Sequence, residues 1–152
     1  MRDILSPEII TNKNDNYNVI FMGNGLYYGA AATTGIAGIL HLMMAYNLSH
    51  FGISNFSIFF LAAGIPQLFW VLPMVRRWGR PWYYVGMGGT VVLIIIWTIT
   101  RFPNPITEGR GLSINSMSII TELFEFAFVI ITAIIIISKE RTKKAPEIKQ
   151  NA

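Results

Sequence analysis

The sequence predicts an all-α membrane protein: four transmembrane helices in an up-down bundle, with both termini cytoplasmic. Three observations carry that prediction. Only 13% of the 152 residues are charged and 53% are apolar, where a soluble domain is usually about a quarter charged. Four apolar stretches each reach the roughly 20 residues that a helix needs to cross about 30 Å of hydrocarbon. The basic residues are also distributed unevenly about those stretches. The length allows one domain at most. With no cysteine, disulfide scaffolds, Cys-ligated zinc and thiolate nucleophiles are excluded.

Residues 1–25 are polar, Asn-rich and of mixed charge. They lack the short apolar region and small-residue cleavage site of a signal peptide, so they are expected to form a cytoplasmic arm. Within this arm Tyr17 to Met22 is suited to lie along the interface, and Gly23-Asn24-Gly25 is expected to turn. The transmembrane domain is placed at residues 26–138, with spans at about 26–49, 56–75, 82–100 and 114–137. Backbone groups in hydrocarbon must pair internally, so each span is expected to be a helix, even the Val91–Trp97 run that would favour a strand in water.

The first span carries Ala31, Gly35 and Gly38 at small-xxx-small spacing, and the third opens with Gly86, Gly88 and Gly89. Without a hydrophobic drive in lipid, such residues let backbones approach closely. They are expected to face other helices, in the same chain or in a neighbour. Pro66 and Pro73 each remove a backbone bond from the second span, which frees carbonyls that Gln67 or another helix can satisfy. The connection Arg76–Tyr84 is short, basic and aromatic, and reads as an interfacial anchor that meets lipid headgroups. The loop Arg101–Ser113 holds two Pro and two Gly, and so is expected to be shaped; Arg101, Asn104 and Arg110 are its candidate docking residues. Residues 139–152 form a charged cytoplasmic tail expected to be mobile.

Ten of the twelve basic residues fall in the two terminal segments and the second connection, which four spans place on one face. The positive-inside rule makes that face cytoplasmic. The net charge of +4 is therefore assigned to topology, and no nucleic-acid partner is expected.

Ionisable groups inside a span raise a functional hypothesis by default. Here they are His41, Glu122 and Glu125. At 1.5 Å of rise per residue, His41 and Glu122 lie roughly 12 Å from the outer helix ends, and Glu125 and Gln67 roughly 16 Å. All four share one layer, and Glu122 and Glu125 share one helix face. Three readings stay open: a hydrogen-bonded lock, a proton relay or polar cavity, and a metal site of one imidazole and two carboxylates. His50 falls on the opposite face from His41, so paired haem ligands are absent. No phosphate loop, dinucleotide fingerprint, H-E-x-x-H or G-x-S-x-G pattern occurs. The inner half of the bundle reads as wholly apolar, which ranks a channel or transporter last.

The stretch Pro66-Gln-Leu-Phe-Trp-Val-Leu-Pro-Met-Val-Arg-Arg-Trp-Gly-Arg-Pro-Trp-Tyr-Tyr-Val-Gly86, with Pro103-Asn-Pro-Ile-Thr107 and Gly109-Arg-Gly-Leu112, resembles a family of small four-helix membrane proteins found in ammonia-oxidising archaea among others. The resemblance covers roughly residues 35–137. Glu108 departs from it, since in the family Pro-Asn-Pro-Ile-Thr often runs straight into Gly-Arg-Gly. It implies a non-catalytic accessory subunit of the archaeal ammonia monooxygenase complex, with larger integral membrane subunits as partners. Copper would then belong to those partners, with no metal, cofactor or catalytic residue in this chain. The alternative from the residues alone is a small redox or proton-handling membrane protein that uses His41, Glu122 and Glu125.

Overall fold

The computed structural model of the chain describes residues 13–50, 52, 54–107, 109, 111 and 113–150. Four α-helices account for most of them: α1 (Lys13–Ser49), α2 (Asn55–Arg76), α3 (Arg80–Thr100) and α4 (Ser116–Gln150), with a 3₁₀ turn at Pro105–Thr107 before α4. All four are long and apolar enough to span a membrane, over Asn24–Ser49, Asn55–Arg76, Arg80–Thr100 and Ser116–Lys139. This is compatible with a multi-pass membrane protein.

The middle helices begin and end within two residues of the expected bounds. The outer two run further. The expected turn at Gly23-Asn24-Gly25 is instead helix interior, and α1 starts at Lys13, within the segment read as an arm. Two glycines disfavour a helix by only about 1 kcal/mol each, less than the pairing that a continuous helix supplies to consecutive backbone groups. At the other end, α4 continues through the charged tail to Gln150. Lys, Arg and Glu lose little rotamer freedom in a helix, so a charged composition does not end one. Residues 1–12 lie outside the described residues.

Local chemistry sets the middle boundaries. Ser54 and Ser57 form a reciprocal cap at the start of α2: the Ser57 N–H donates to Ser54 Oγ at 3.2 Å, and the Ser54 N–H to Ser57 Oγ at 3.0 Å. Asn115 and Ser118 repeat the device at α4, where the Ser118 N–H donates to Asn115 Oδ1 at 2.7 Å. Each pair satisfies donors that the first helical turn leaves without partners. Arg77 ends α2 in the left-handed region, with φ 53°, and Trp78 N–H closes back onto the Pro73 carbonyl at 3.1 Å. Gly79 (φ 117°) and Pro81 then open α3.

α1 packs on α2 and α4, while α3 rests mainly on α4 and less extensively on α2. The closest approach joins Gly38 of α1 to Gly64 of α2. A Cβ on Gly38 would stand 3.0 Å from the Gly64 carbonyl oxygen, and one on Gly64 would stand 2.9 Å from the Gly38 carbonyl oxygen. Gly86 of α3 receives the Trp70 indole, which occupies the space a Cβ would need; the indole N–H donates to the Trp82 carbonyl at 2.9 Å. Tyr27, Ala30, Ala31, Met74, Tyr83, Phe128, Ile135 and Ile136 form one buried core. Basic residues close that end. The Arg77 guanidinium lies 4.7 Å from the Tyr27 ring centre, and the Lys139 ammonium 5.1 Å from that of Tyr83. Elsewhere large apolar side chains such as Ile65, Val85, Val92 and Leu123 face outward, as lipid-facing surfaces do.

The Gly38–Gly64 contact predicts a contrast. Gly38→Leu should push α1 from α2 and destabilise the chain by about 1–3 kcal/mol, the usual cost of overpacking. Gly89→Leu should leave stability unchanged, since no atom lies within 4 Å of its Cβ position. Thermal unfolding of both variants in one detergent measures the difference.

Candidate functional site: a buried His–Gln–Glu bridge

Three helices each contribute one polar side chain to a hydrogen-bonded bridge in the interior. His41 of α1, Gln67 of α2 and Glu125 of α4 are 6%, 5% and 1% exposed. His41 Nδ1 lies 2.8 Å from Gln67 Oε1 and 3.2 Å from the Ala37 carbonyl. Both neighbours are acceptors, so Nδ1 carries the hydrogen and donates to both. The other end of the same amide, Gln67 Nε2, donates to Glu125 Oε1 at 2.6 Å. His41 Nδ1 and Glu125 Oε1 themselves stand 3.7 Å apart. Gln67 therefore bridges the two ionisable groups.

The backbone around the bridge is tied as well. Thr34, seven residues before His41 and on the same face of α1, donates its hydroxyl to the Gln67 carbonyl at 3.0 Å. Of the two partners expected for carbonyls freed by Pro66, Gln67 or another helix, the Gln67 side chain is engaged elsewhere, with His41 and Glu125. The Phe60 ring covers His41 with centroids 5.7 Å apart.

An amide gives up a proton only at great cost, so a bridge that passes through Gln67 is suited to joining helices rather than to conducting protons. Of the three readings of the polar layer, this geometry favours the lock for His41, Gln67 and Glu125. The fourth member, Glu122, is buried but stands apart from the bridge. Its Oε2, like Oε2 of Glu125, has no hydrogen-bond partner. Among the described residues, no three His, Asp or Glu side chains are grouped to hold a metal ion.

A cavity of about 340 Å³ opens above this layer, lined by residues that include Asn47, Phe60, Arg101, Ser113, Asn115 and Ser118. Arg101 forms part of its wall. The guanidinium lies 4.7 Å from the Trp97 ring centre and donates from Nη1 to the Ser113 carbonyl at 2.6 Å. Burial lowers the Arg101 pKa from its ordinary value, and the neighbouring Glu122 charge raises it again.

The remaining expected site residues separate clearly. Ala31, Gly38 and Gly86 sit at intrachain contacts, and a Cβ on Gly35 would stand 3.3 Å from Val71. Gly89 packs against no other helix and lines an apolar groove of about 250 Å³ between α2 and α3. In the loop, Asn104 is turned onto its own backbone: Nδ2 donates to the Ile99 and Phe102 carbonyls, and Oδ1 accepts from the Thr107 N–H. A loop this short must satisfy its own carbonyls, and Arg101 and Asn104 do that work. Arg110 lies outside the described residues. His50 is exposed, edge-on to Tyr46.

One expectation about the interior is overturned. The half of the bundle away from the cavity is not wholly apolar, because Thr132 and Tyr83 are both fully buried there. Their mild hydropathy hides them in an average, although Thr132 follows Glu125 by one heptad and so faces the same side.

Gln67→Leu removes both side-chain bonds, takes the donor from Glu125 Oε1 and leaves the imidazole only the Ala37 carbonyl. It should cost about 1–3 kcal/mol, the penalty for buried polar groups that lose their partners. Glu125→Gln preserves an acceptor for Gln67 and should cost less. Detergent-denaturation midpoints of the two variants rank them. No protein family matches the chain, and neither a characterised protein nor a solved structure matches it.

Proposed function

We propose that this chain is a non-catalytic accessory subunit of a multi-subunit membrane enzyme, packed side-on against larger integral membrane chains. One observation carries the reading: the α3 face at Gly88 and Gly89. Neither glycine has any atom within 4 Å of its Cβ position, and the apolar groove beside them is bordered by Ala62, Ala63 and Leu93. Association in a bilayer depends on close backbone contact, and this face has the small residues for it while, among the described residues, no other helix packs on them. The bridge supports the same reading, because its amide link fastens a scaffold.

The resemblance around Pro66–Gly86 selects the assembly, a copper-dependent archaeal ammonia monooxygenase, with copper and oxidation in the partner subunits. In this reading the protein sits in the cell membrane, follows an up-down course and keeps both termini in the cytoplasm. The basic segments support that orientation, as does the gathering of Arg77, Tyr83 and Lys139 at one end.

Isolation of the full chain from native membranes in mild detergent tests the proposal directly. Larger membrane chains should co-purify and be identified by mass spectrometry. Gly89→Leu should cut their recovery by about an order of magnitude, roughly 1.4 kcal/mol of lost contact, while the chain itself stays folded. Recovery of the unaltered chain solely as a free monomer would rule the subunit role out.

A further inference from the structure

The lock leaves two buried acidic oxygens unexplained. Ser118, Glu122 and Glu125 stand at i, i+4 and i+7 on α4, so they form one continuous stripe. Ser118 lines the cavity, Glu122 lies one turn deeper, and Glu125 reaches the Gln67 bridge. Arg101 shares the cavity wall and interacts with the Glu122 charge. Below Glu125 the stripe meets Phe128, 1% exposed and apolar.

Among the described residues, the polar groups facing this pair come from three other segments. From α1 comes His41, 3.7 Å from Glu125 Oε1. From α2 comes the neutral Gln67 amide. Arg101, just past the end of α3, faces Glu122. Two ionised carboxylates on one helix face repel each other. Each would also hold a charged oxygen, sealed from solvent, with no donor, an arrangement that hydrocarbon surroundings penalise heavily. A bound proton relieves the charge, and the cavity that Ser118 lines lies one turn of α4 from Glu122.

We propose that Glu122 and Glu125 form an exchangeable proton-binding pair, loaded from one aqueous face through the Arg101 cavity and closed below by Phe128. The ligand is the proton carried by water. Uptake turns a carboxylate into a carboxylic acid, and release to cavity water reverses it, with no redox partner. The proposal concerns the isolated chain and stands whether or not the subunit role does.

Infrared spectroscopy of the full chain in lipid nanodiscs at neutral pH reads it. A protonated-carboxyl stretch should be present, one component lost in Glu122→Gln and another in Glu125→Gln. On transfer to heavy water both components should shift. Ser118→Trp, which fills the cavity from α4, should slow that shift by at least an order of magnitude while both components remain. Met44→Trp fills the same cavity from α1 and should do the same, so that misfolding of one variant does not decide the result. A spectrum with no carboxyl component sensitive to either Gln variant overturns the protonated pair. Exchange as fast in folded Ser118→Trp and Met44→Trp as in the unaltered chain overturns the cavity as its inlet.

Discussion

A polar group buried among packed helices needs a partner there, and the Gln67 bridge is how three helices of this chain meet that constraint. One amide accepts from His41 and donates to Glu125, so α1, α2 and α4 are joined through a single side chain. Such a bridge needs short reach. The Gly38–Gly64 contact provides it by letting two backbones approach with no side chain between them, and Thr34 strengthens the same seam through the Gln67 carbonyl. Small residues and polar residues thus act together: the former set the separation at which the latter can bond.

The two ends of the molecule differ in a way that follows from their residues. At the Tyr27–Tyr83 end, aromatic rings and the cations Arg77 and Lys139 fill the space between helices. At the opposite end the loop before α4 is braced by Asn104 and Arg101, beside a cavity of mixed polar and apolar lining between the helix termini. The buried acids stand on the cavity side of Phe128.

Much of this was legible in the sequence because the governing quantities are simple. Span positions follow from hydropathy and length. The shared depth of His41, Gln67, Glu122 and Glu125 follows from helical rise, and three of the four do meet. What escaped was local or relational. Whether Gly23 and Gly25 end a helix depends on the backbone pairing around them. The reciprocal caps at Ser54 and Asn115 are written in single residues that a span-scale average discards. That Arg101 and Asn104 donate to nearby backbone carbonyls is visible only once the loop has a shape. Gly86 and Gly89 look alike in the sequence, yet the first holds an indole and the second faces open space, because only one of them falls beneath Trp70.

The bridge also has a temporal meaning. Its partners are separated by 26 residues between His41 and Gln67 and by 58 between Gln67 and Glu125. Chain order therefore sets the order of closure: the His41 end of the bridge can form once the first two helices pair, and the Gln67 amide nitrogen meets its acceptor only when the last helix packs.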